Sequence, residues 1–345
     1  AIERLTSDAV AVSFDLPEGE TLRYRAGQYI TVSKWLAGEQ QTRCYSLCTS
    51  PAKGVIKIGV RHTNGGLMSG FINTELEEGS ELIVKGPFGD FIYPPTRADN
   101  FKDERIDEMV LIAAGSGITP IMSILETALG EKESPLIHLI YACKNRDNIM
   151  FFDQIELLKA DNPSRFRVTY VIEQNTVVPL GVHGRLDNEL LMSLLSRQKS
   201  GKKRSSILNS EFYICGPEGL KKMLVETLAK HHVDANRMHV EEFVSAVTEP
   251  IGEAYRVEIS LADGQKHSLH IASNQTVLEV AKSEGVKLPH ACGNGTCGSC
   301  KCKIDEGSVA DIPESVPGLT TGEREAGFTL ACQCRPLSNI SLSEI

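Results

Sequence analysis

The chain has 345 residues, 41% of them hydrophobic and 23% charged, and a formal net charge of −9. That length suits two or three domains of about 100–200 residues each. It contains no run of about 18 apolar residues that would offer a membrane span, and its acidic balance argues against a nucleic-acid partner. The opening Ala1-Ile2-Glu3-Arg4 lacks the basic and then apolar pattern of a signal peptide. Ten cysteines, four of them in one short stretch, read as metal binding in a reducing cytoplasm rather than as a disulfide framework.

From the start to about residue 95, short alternating runs are broken by turn residues. Residues 10–14, 29–32 and 54–60 read as strands, with Pro17, Gly19, Gly27, Gly38, Pro51 and Gly79 between such runs. This pattern predicts an antiparallel barrel or sandwich, with one helix over residues 67–76. In Arg43-Cys44-Tyr45-Ser46, strand alternation puts Arg43 and Tyr45 on one side and Ser46 on the other. An arginine there can grip a phosphate, a tyrosine can lie against a planar ring, and a serine can hydrogen-bond a ring nitrogen. Gly65-Gly66-Leu67-Met68-Ser69 puts free N–H groups at a helix start, where anions bind. Taken alone, each cluster is equally well a surface strand or an ordinary glycine turn.

From about residue 107, apolar runs alternate with helical stretches. Residues 109–113, 136–141, 167–172 and 212–215 read as buried strands; residues 119–129, 152–160, 189–196 and 218–230 read as helices. Such alternation predicts a doubly wound α/β domain with a parallel sheet covered on both faces, and ligands beyond the carboxyl ends of its strands. Ala114-Gly115-Ser116-Gly117-Ile118-Thr119-Pro120 closes the first strand. Its glycines admit a pyrophosphate close to the backbone, and Pro120 suits a first helical turn. Cys215-Gly216-Pro217-Glu218-Gly219-Leu220 follows a later strand, where Cys215 by itself suits a small buried residue.

Residues 244–252 carry Pro and Gly without a clear period and read as a linker. Residues 254–261 and 266–271 alternate around Asp263-Gly264, a hairpin signal, and Thr276-Val277-Leu278-Glu279 is a capping box for a helix ending near Gly285. Then comes Cys292-x4-Cys297-x2-Cys300, with Cys302, Cys332 and Cys334 downstream. This is the plant-type ferredoxin spacing for a [2Fe–2S] cluster; structural zinc sites instead use two short Cys/His pairs. A strand would point Cys332 and Cys334 the same way. From Glu253 onward, 12 acidic and 8 basic residues give a net −4.

In this order, the motifs Arg-x-Tyr-Ser, Gly-x-Gly-Ile-Thr-Pro and Cys-Gly-Pro-Glu-Gly-Leu resemble those of the ferredoxin–NADP reductase superfamily. The cysteine region resembles a C-terminal plant-type ferredoxin. The resemblance implies a flavin-binding β-barrel over residues 1–100, an NAD(P)-binding α/β domain over 101–244, a linker over 245–253 and a β-grasp [2Fe–2S] domain over 254–345. It implies that Arg43, Tyr45 and Ser46 hold the flavin, with Val60, Arg61 and His62 on the strand alongside. Gly66, Leu67, Met68 and Ser69 cap its pyrophosphate, and Lys85-Gly86-Pro87-Phe88-Gly89-Asp90-Phe91 closes the barrel.

The resemblance places Gly115, Gly117, Thr119, Pro120, Gly216 and Pro217 at the nicotinamide nucleotide, Cys215 near its C4, and Glu241 and Phe243 by the flavin. It points to Cys332 as fourth cluster ligand beside Cys292, Cys297 and Cys300, with Cys302 and Cys334 as rivals. FAD is the family default, with FMN as the alternative. Lys144 and Arg146 favour NADPH and Glu173 favours NADH, with the balance toward NADH; Lys202-Lys203-Arg204 reads as a solvated loop. The domain order resembles reductase components of bacterial oxygenase systems, the group that includes phenylacetyl-CoA epoxidase reductase subunits. It implies electron flow from NAD(P)H to flavin to cluster and on to a terminal oxygenase, hydroxylase or other protein acceptor. A dehydrogenase electron-transfer subunit and an iron–sulfur redox sensor are the alternatives.

Overall fold

The computed structural model describes residues 1–94, 106–132, 135–174, 181–196, 207–241, 252–290, 293, 295, 298–312, 316 and 318–345, the side chains of residues 39 and 40 excepted. Phe243, Cys292, Cys297, the loop at 202–204 and most of the expected linker lie outside the described residues. The chain divides into two compact units, one of Ala1–Gln41 and Tyr45–Glu241, the other of Thr42–Cys44 and Glu242–Ile345.

The first unit opens with the expected β-barrel. Strands β1 (Ile2–Thr6), β2 (Ala9–Phe14) and β5 (Ile56–Arg61) form one antiparallel sheet. Strands β3 (Tyr29–Leu36), β4 (Glu39–Ser46) and β6 (Ile83–Phe88) form another, with β3 in the middle. The turn Ala37-Gly38 has φ of 52° and 82°, the paired positive values that a two-residue hairpin needs. An antiparallel bridge between Leu47 and Ile58 ties the end of β4 to β5. Inward side chains, among them Val10, Val12, Ile30, Val32 and Ile58, bury a core that helix α1 (Leu67–Thr74) covers with Met68 and Ile72. The only tryptophan of the chain, Trp35, lies near the end of β3 and is 69% exposed.

The same unit continues into a six-stranded parallel sheet. Its strands are β7 (Glu108–Ala114), β8 (Leu136–Cys143), β9 (Phe166–Ile172), β10 (Val182–His183), β11 (Ser210–Cys215) and β12 (Met238–Val240), in the order β10-β9-β8-β7-β11-β12. On β7, Met109, Leu111 and Ala113 face one apolar layer, which includes Ile121 and Leu125 of α2 (Ile118–Gly130) and Ile155 of α3 (Phe152–Asp161). Val110 and Ile112 face the other, with Leu191 and Leu194 of α4 (Asn188–Ser196) and Leu224 and Leu228 of α5 (Glu218–Lys230). Burial on both sides is why β7 reads as a continuous apolar run rather than an alternating one.

The second unit holds a mixed five-stranded sheet. Strands β13 (Ala254–Ser260), β14 (Lys266–Ala272), β15 (Lys301–Glu306), β16 (Phe328–Leu330) and β17 (Ile340–Glu344) take the order β14-β13-β17-β15-β16. The β13–β17 pair is parallel and the others are antiparallel. Helices α6 (Val277–Ser283) and α7 (Thr321–Glu325) both start in capping boxes, Thr276 with Glu279 and Thr320 with Glu323.

Candidate functional site

In the parallel sheet, the chain leaves β7 in one direction to β8 and returns on its other side as β11. The carboxyl ends of β7 and β11 therefore flank the switch point where such sheets bind ligands. Both glycine motifs sit there. Ala113 is in register with Cys215, and residues 115–117 make a 3₁₀ turn into α2. A Cβ on Gly117 would lie 2.3 Å from the Cys215 carbonyl oxygen, so only glycine lets the two motifs touch. Gly115 has φ of 55°, and its carbonyl accepts a 3.0 Å hydrogen bond from the Tyr141 hydroxyl, whose pKa is raised by burial. Pro217 caps α5 ahead of Glu218. The Glu241 amide donates to Ile214 O (2.9 Å) and its carbonyl accepts from Lys221 Nζ (3.0 Å), so Glu241 joins the same strand ends. Gly115, Gly117, Thr119, Pro120, Cys215, Gly216, Pro217 and Glu241 thus converge. Arg146 lies further out, over the Phe152 ring at 5.7 Å, and Glu173 faces Arg185 at 3.7 Å.

On the barrel side, the bridge of Leu47 to Ile58 sets Ser46 opposite Gly59, and opposed residues share a face. Leu47 and Ile58 point into the barrel core; Ser46 and Gly59 point away from it, toward the parallel-sheet domain. A Cβ on Gly59 would fall 2.8 Å from Thr119 Cγ2 and 3.0 Å from the Phe151 ring. The barrel strand therefore lies directly against the glycine turn. Ser46 is 2% exposed, and its hydroxyl has no hydrogen-bond partner among the described residues. Tyr45 is half-buried against the barrel core, while Arg43 is exposed on β4 with Nη1 donating to Thr42 O at 2.7 Å.

Other expected side chains are committed elsewhere. Val60 and Met68 fill the barrel core, and His62 lies one residue past the end of β5. Arg61 donates to Asn148 O (2.5 Å) and faces Asp8 (3.5 Å), bridging barrel and parallel-sheet domain. Ser69 Oγ accepts from Thr63 N–H (3.1 Å) and donates to Gly66 O (3.2 Å). It shapes the turn that caps α1, in which the Gly66 amide also donates to Thr63 O at 2.9 Å, leaving the backbone N–H groups of Leu67 and Met68 as the anion-facing part.

In the second unit, the Ala331 amide donates to Cys300 O (2.8 Å), and the sulfurs of Cys300 and Cys332 stand 3.2 Å apart. Cys332 and Cys334 do not lie on a strand. Strand β16 ends at Leu330, whose carbonyl accepts from both Gln333 and Cys334, forming a tight turn. The strand alternation expected for Cys332 and Cys334 therefore does not apply, because a turn does not alternate as a strand does. Cys334 is fully buried in the core, its carbonyl accepting the Val277 amide at the head of α6; Cys302 is buried beside it. A Cβ on Gly318 would come within 2.2 Å of Gly295 O, and Gly318 donates to that oxygen at 2.9 Å. Arg324 holds the same segment through the carbonyls of Ile312, Val316 and Leu319.

Three family models match in succession: the oxidoreductase FAD-binding domain over residues 1–93, the oxidoreductase NAD-binding domain over 111–226, and the 2Fe-2S iron-sulfur cluster binding domain over 261–337. One of the subunits of 1,2-phenylacetyl-CoA epoxidase from Escherichia coli (strain K12) is 32% identical, the match covering 98% of this chain and 94% of that protein. The chain belongs to the ferredoxin–NADP reductase superfamily, among the oxygenase reductase components. The ferredoxin reductase component of 3-ketosteroid-9-alpha-monooxygenase from Rhodococcus rhodochrous is 27% identical over 98% of this chain and 93% of its own. Phthalate dioxygenase reductase shares the fold at a TM-score of 0.56 and 22% identity, covering all of this chain and 96% of that one. This member of the family is an NAD(P)H oxidoreductase that passes electrons through FAD to a [2Fe–2S] cluster.

The residues present fit those groups. A flavin needs a hydrogen-bond partner at the barrel boundary, and the buried Ser46 hydroxyl is an unfilled one. A dinucleotide needs backbone stripped of side chains, and Gly117 against Gly216 supplies it. Iron wants soft thiolate donors brought together, and Cys300 and Cys332 are so placed. Gly59, Gly318 and Arg324 escaped sequence reasoning. For Gly59 a signal existed, since an isolated glycine inside a strand often marks close backbone approach.

Proposed function

We propose that this reductase serves a terminal oxygenase, with NADH as donor. In this reading Arg43, Tyr45, Ser46 and the amides of Leu67 and Met68 hold FAD, with Gly66 shaping the turn. Gly115, Gly117, Thr119, Pro120, Gly216 and Pro217 hold the nicotinamide nucleotide, and Cys292, Cys297, Cys300 and Cys332 hold the cluster. The observation that carries it is the pairing of Ser46 with Gly59 against Thr119, which sets an unfilled hydroxyl of the flavin barrel beside the nucleotide turn. When bound, FAD takes two electrons together and releases them singly to a one-electron cluster.

The chain's own contribution is placement. Ser46 Oγ hydrogen-bonds a flavin ring nitrogen, Cys215 packs where the nicotinamide ring must lie, and Glu241 provides a carboxylate at the same strand ends. Burial of the Gly117–Cys215 contact keeps water from this edge of the site. Glu173, one residue past β9, presents a half-exposed carboxylate suited to a ribose hydroxyl beside Arg185, and Arg146 stacks on Phe152. The eight cysteines described form no disulfide with one another. Among the described residues no helix is long and apolar enough to cross a membrane.

Anaerobic mixing of the holoenzyme with NADH is the test. The flavin absorbance should bleach first and the cluster signal follow, with NADH preferred to NADPH in kcat/KM. A diiron or Rieske oxygenase encoded beside it should turn over only when the reductase is present. A flavin that NADH and NADPH both leave oxidised would overturn the reading.

A further inference from the structure

Of the buried carboxylates that these roles do not use, Glu126 stands on the helix that leaves the nucleotide turn. Helix α2 begins at the nucleotide turn and is buried along nearly its whole length, yet it carries Glu126, 6% exposed, among Ile121, Ile124 and Leu125. Across from it lies the segment that follows Ser46. The Ser50 amide donates to Glu126 Oε2 at 2.8 Å, and Lys53 Nζ meets Oε1 at 2.6 Å. Gln154 of α3 donates to Oε1 as well. Two flanking bonds complete the seam: Ser123 Oγ donates to Thr49 O (2.5 Å) and Thr127 Oγ1 to Ser50 Oγ (3.1 Å). Lys53 keeps a half-exposed side chain, so the charge that neutralises Glu126 comes from the barrel surface.

A buried charge is costly unless paired and hydrogen-bonded, and an apolar residue at 126 would avoid that cost. What the carboxylate supplies is directional. It accepts from the barrel loop four residues after Ser46 and from α3, while its own helix carries Thr119 two turns upstream against Gly59. Apolar packing would let the loop slide along α2; three donors converging on one carboxylate do not.

We propose that Glu126 is a positioning residue for hydride transfer, setting the barrel strand that bears Ser46 at a fixed spacing from the nucleotide turn. It touches neither cofactor. The inference rests on the reading that Ser46 contacts the flavin and residues 115–120 the nicotinamide nucleotide. A misplacement of about 1 Å between reacting groups can slow a step by about a hundredfold, so the effect is read in rate and not in cofactor content.

The test uses FAD- and cluster-loaded full-length protein with Glu126→Gln and, separately, Lys53→Met, which removes the surface cation and leaves the helix core intact. Glu3→Gln, at a surface ion pair on the barrel, is the control. Both test variants should keep wild-type FAD content. They should show faster deuterium exchange at the Ser50 amide, a rate of flavin reduction by NADH lowered about ten- to a hundredfold at saturation, and a larger isotope effect with 4-deuterated NADH. Flavin-to-cluster transfer after dithionite or photochemical reduction should stay within about twofold of wild type. Normal hydride transfer in both variants, alongside raised Ser50 exchange, would overturn the proposal and leave Glu126 a stability residue. If wild-type protein itself fails to oxidise NADH or NADPH, it is the assigned function that falls.

Discussion

The two places where electrons change carrier are built by opposite strategies. The crossing between barrel and nucleotide turn gathers residues far apart in the chain, with Ser46, Gly59, Thr119 and Cys215 brought together by side-chain bonds and missing Cβ atoms. The cluster region draws on a shorter stretch, though Cys300 and Cys332 are still 32 residues apart. Its described parts lie between Gly293 and Cys334, and one arginine collects backbone carbonyls to shape them. Distant assembly makes geometry depend on the whole unit, whereas shorter-range assembly makes it depend on a few backbone positions. The first should fail gradually in rate and the second abruptly in cofactor retention.

The sharpest break is at Cys332. Cys332→Ser should lose the cluster, seen as loss of its visible absorbance and of the iron and sulfide content, while Cys334→Ser should keep it at some cost in core stability. A retained cluster in the first variant moves the fourth ligand elsewhere. Next, Gly117→Ala forces a methyl group into the Cys215 carbonyl. Overpacking of this kind costs about 1–3 kcal/mol, so KM for NADH should rise about tenfold or more with the cluster intact. An unchanged KM would mean the two motifs separate freely.

Arg324→Gln removes a charged donor from three carbonyls, at about 2 kcal/mol for the hydrogen bonds to charge. The cluster should be lost several times faster on chelator challenge, while NADH–ferricyanide activity through the flavin stays normal; parallel loss of both would erase the contrast. The smallest effect concerns Glu323. Hydrogen bonding from Lys301, and then from Thr320, lowers its carboxyl from 4.5 to about 2. A depressed carboxyl stabilises the fold above its unfolded value and gives that up as pH falls toward 2. Glu323→Gln should therefore flatten the acid limb of ferredoxin-domain unfolding between about pH 4.5 and 2; an unchanged limb would show that the ion pair contributes nothing.

Local signals were the legible ones. Residues 218–230 form the expected helix, and the capping box at Thr276 and the hairpin at Asp263-Gly264 stand as read. The expected helix over 67–76 stops at Thr74, where the amides of Glu75 and Leu76 both turn to Phe71 O. Three kinds of fact could not be read from neighbours in sequence. Which hydroxyl is already used is one, since Ser69 serves its own turn while Ser46 does not. Which arginine is spent on a carbonyl across a domain boundary is another, as with Arg61. The third is what a glycine meets, as with Gly59 against Thr119. The last two depend on contacts more than twenty residues distant, so the motifs named the chemistry without its spacing.

Trp35 adds an optical property to this architecture. Because no other indole exists in the chain and this one stands in solvent near the end of β3, indole emission, excited beyond the tyrosine band, comes from a single address on the barrel. Oxidised flavin absorbs in the region where indole emits, so its binding should quench that emission and its departure restore it. The molecule thus carries its own reporter of flavin occupancy, readable without a label by comparing emission before and after flavin is added at constant cluster content.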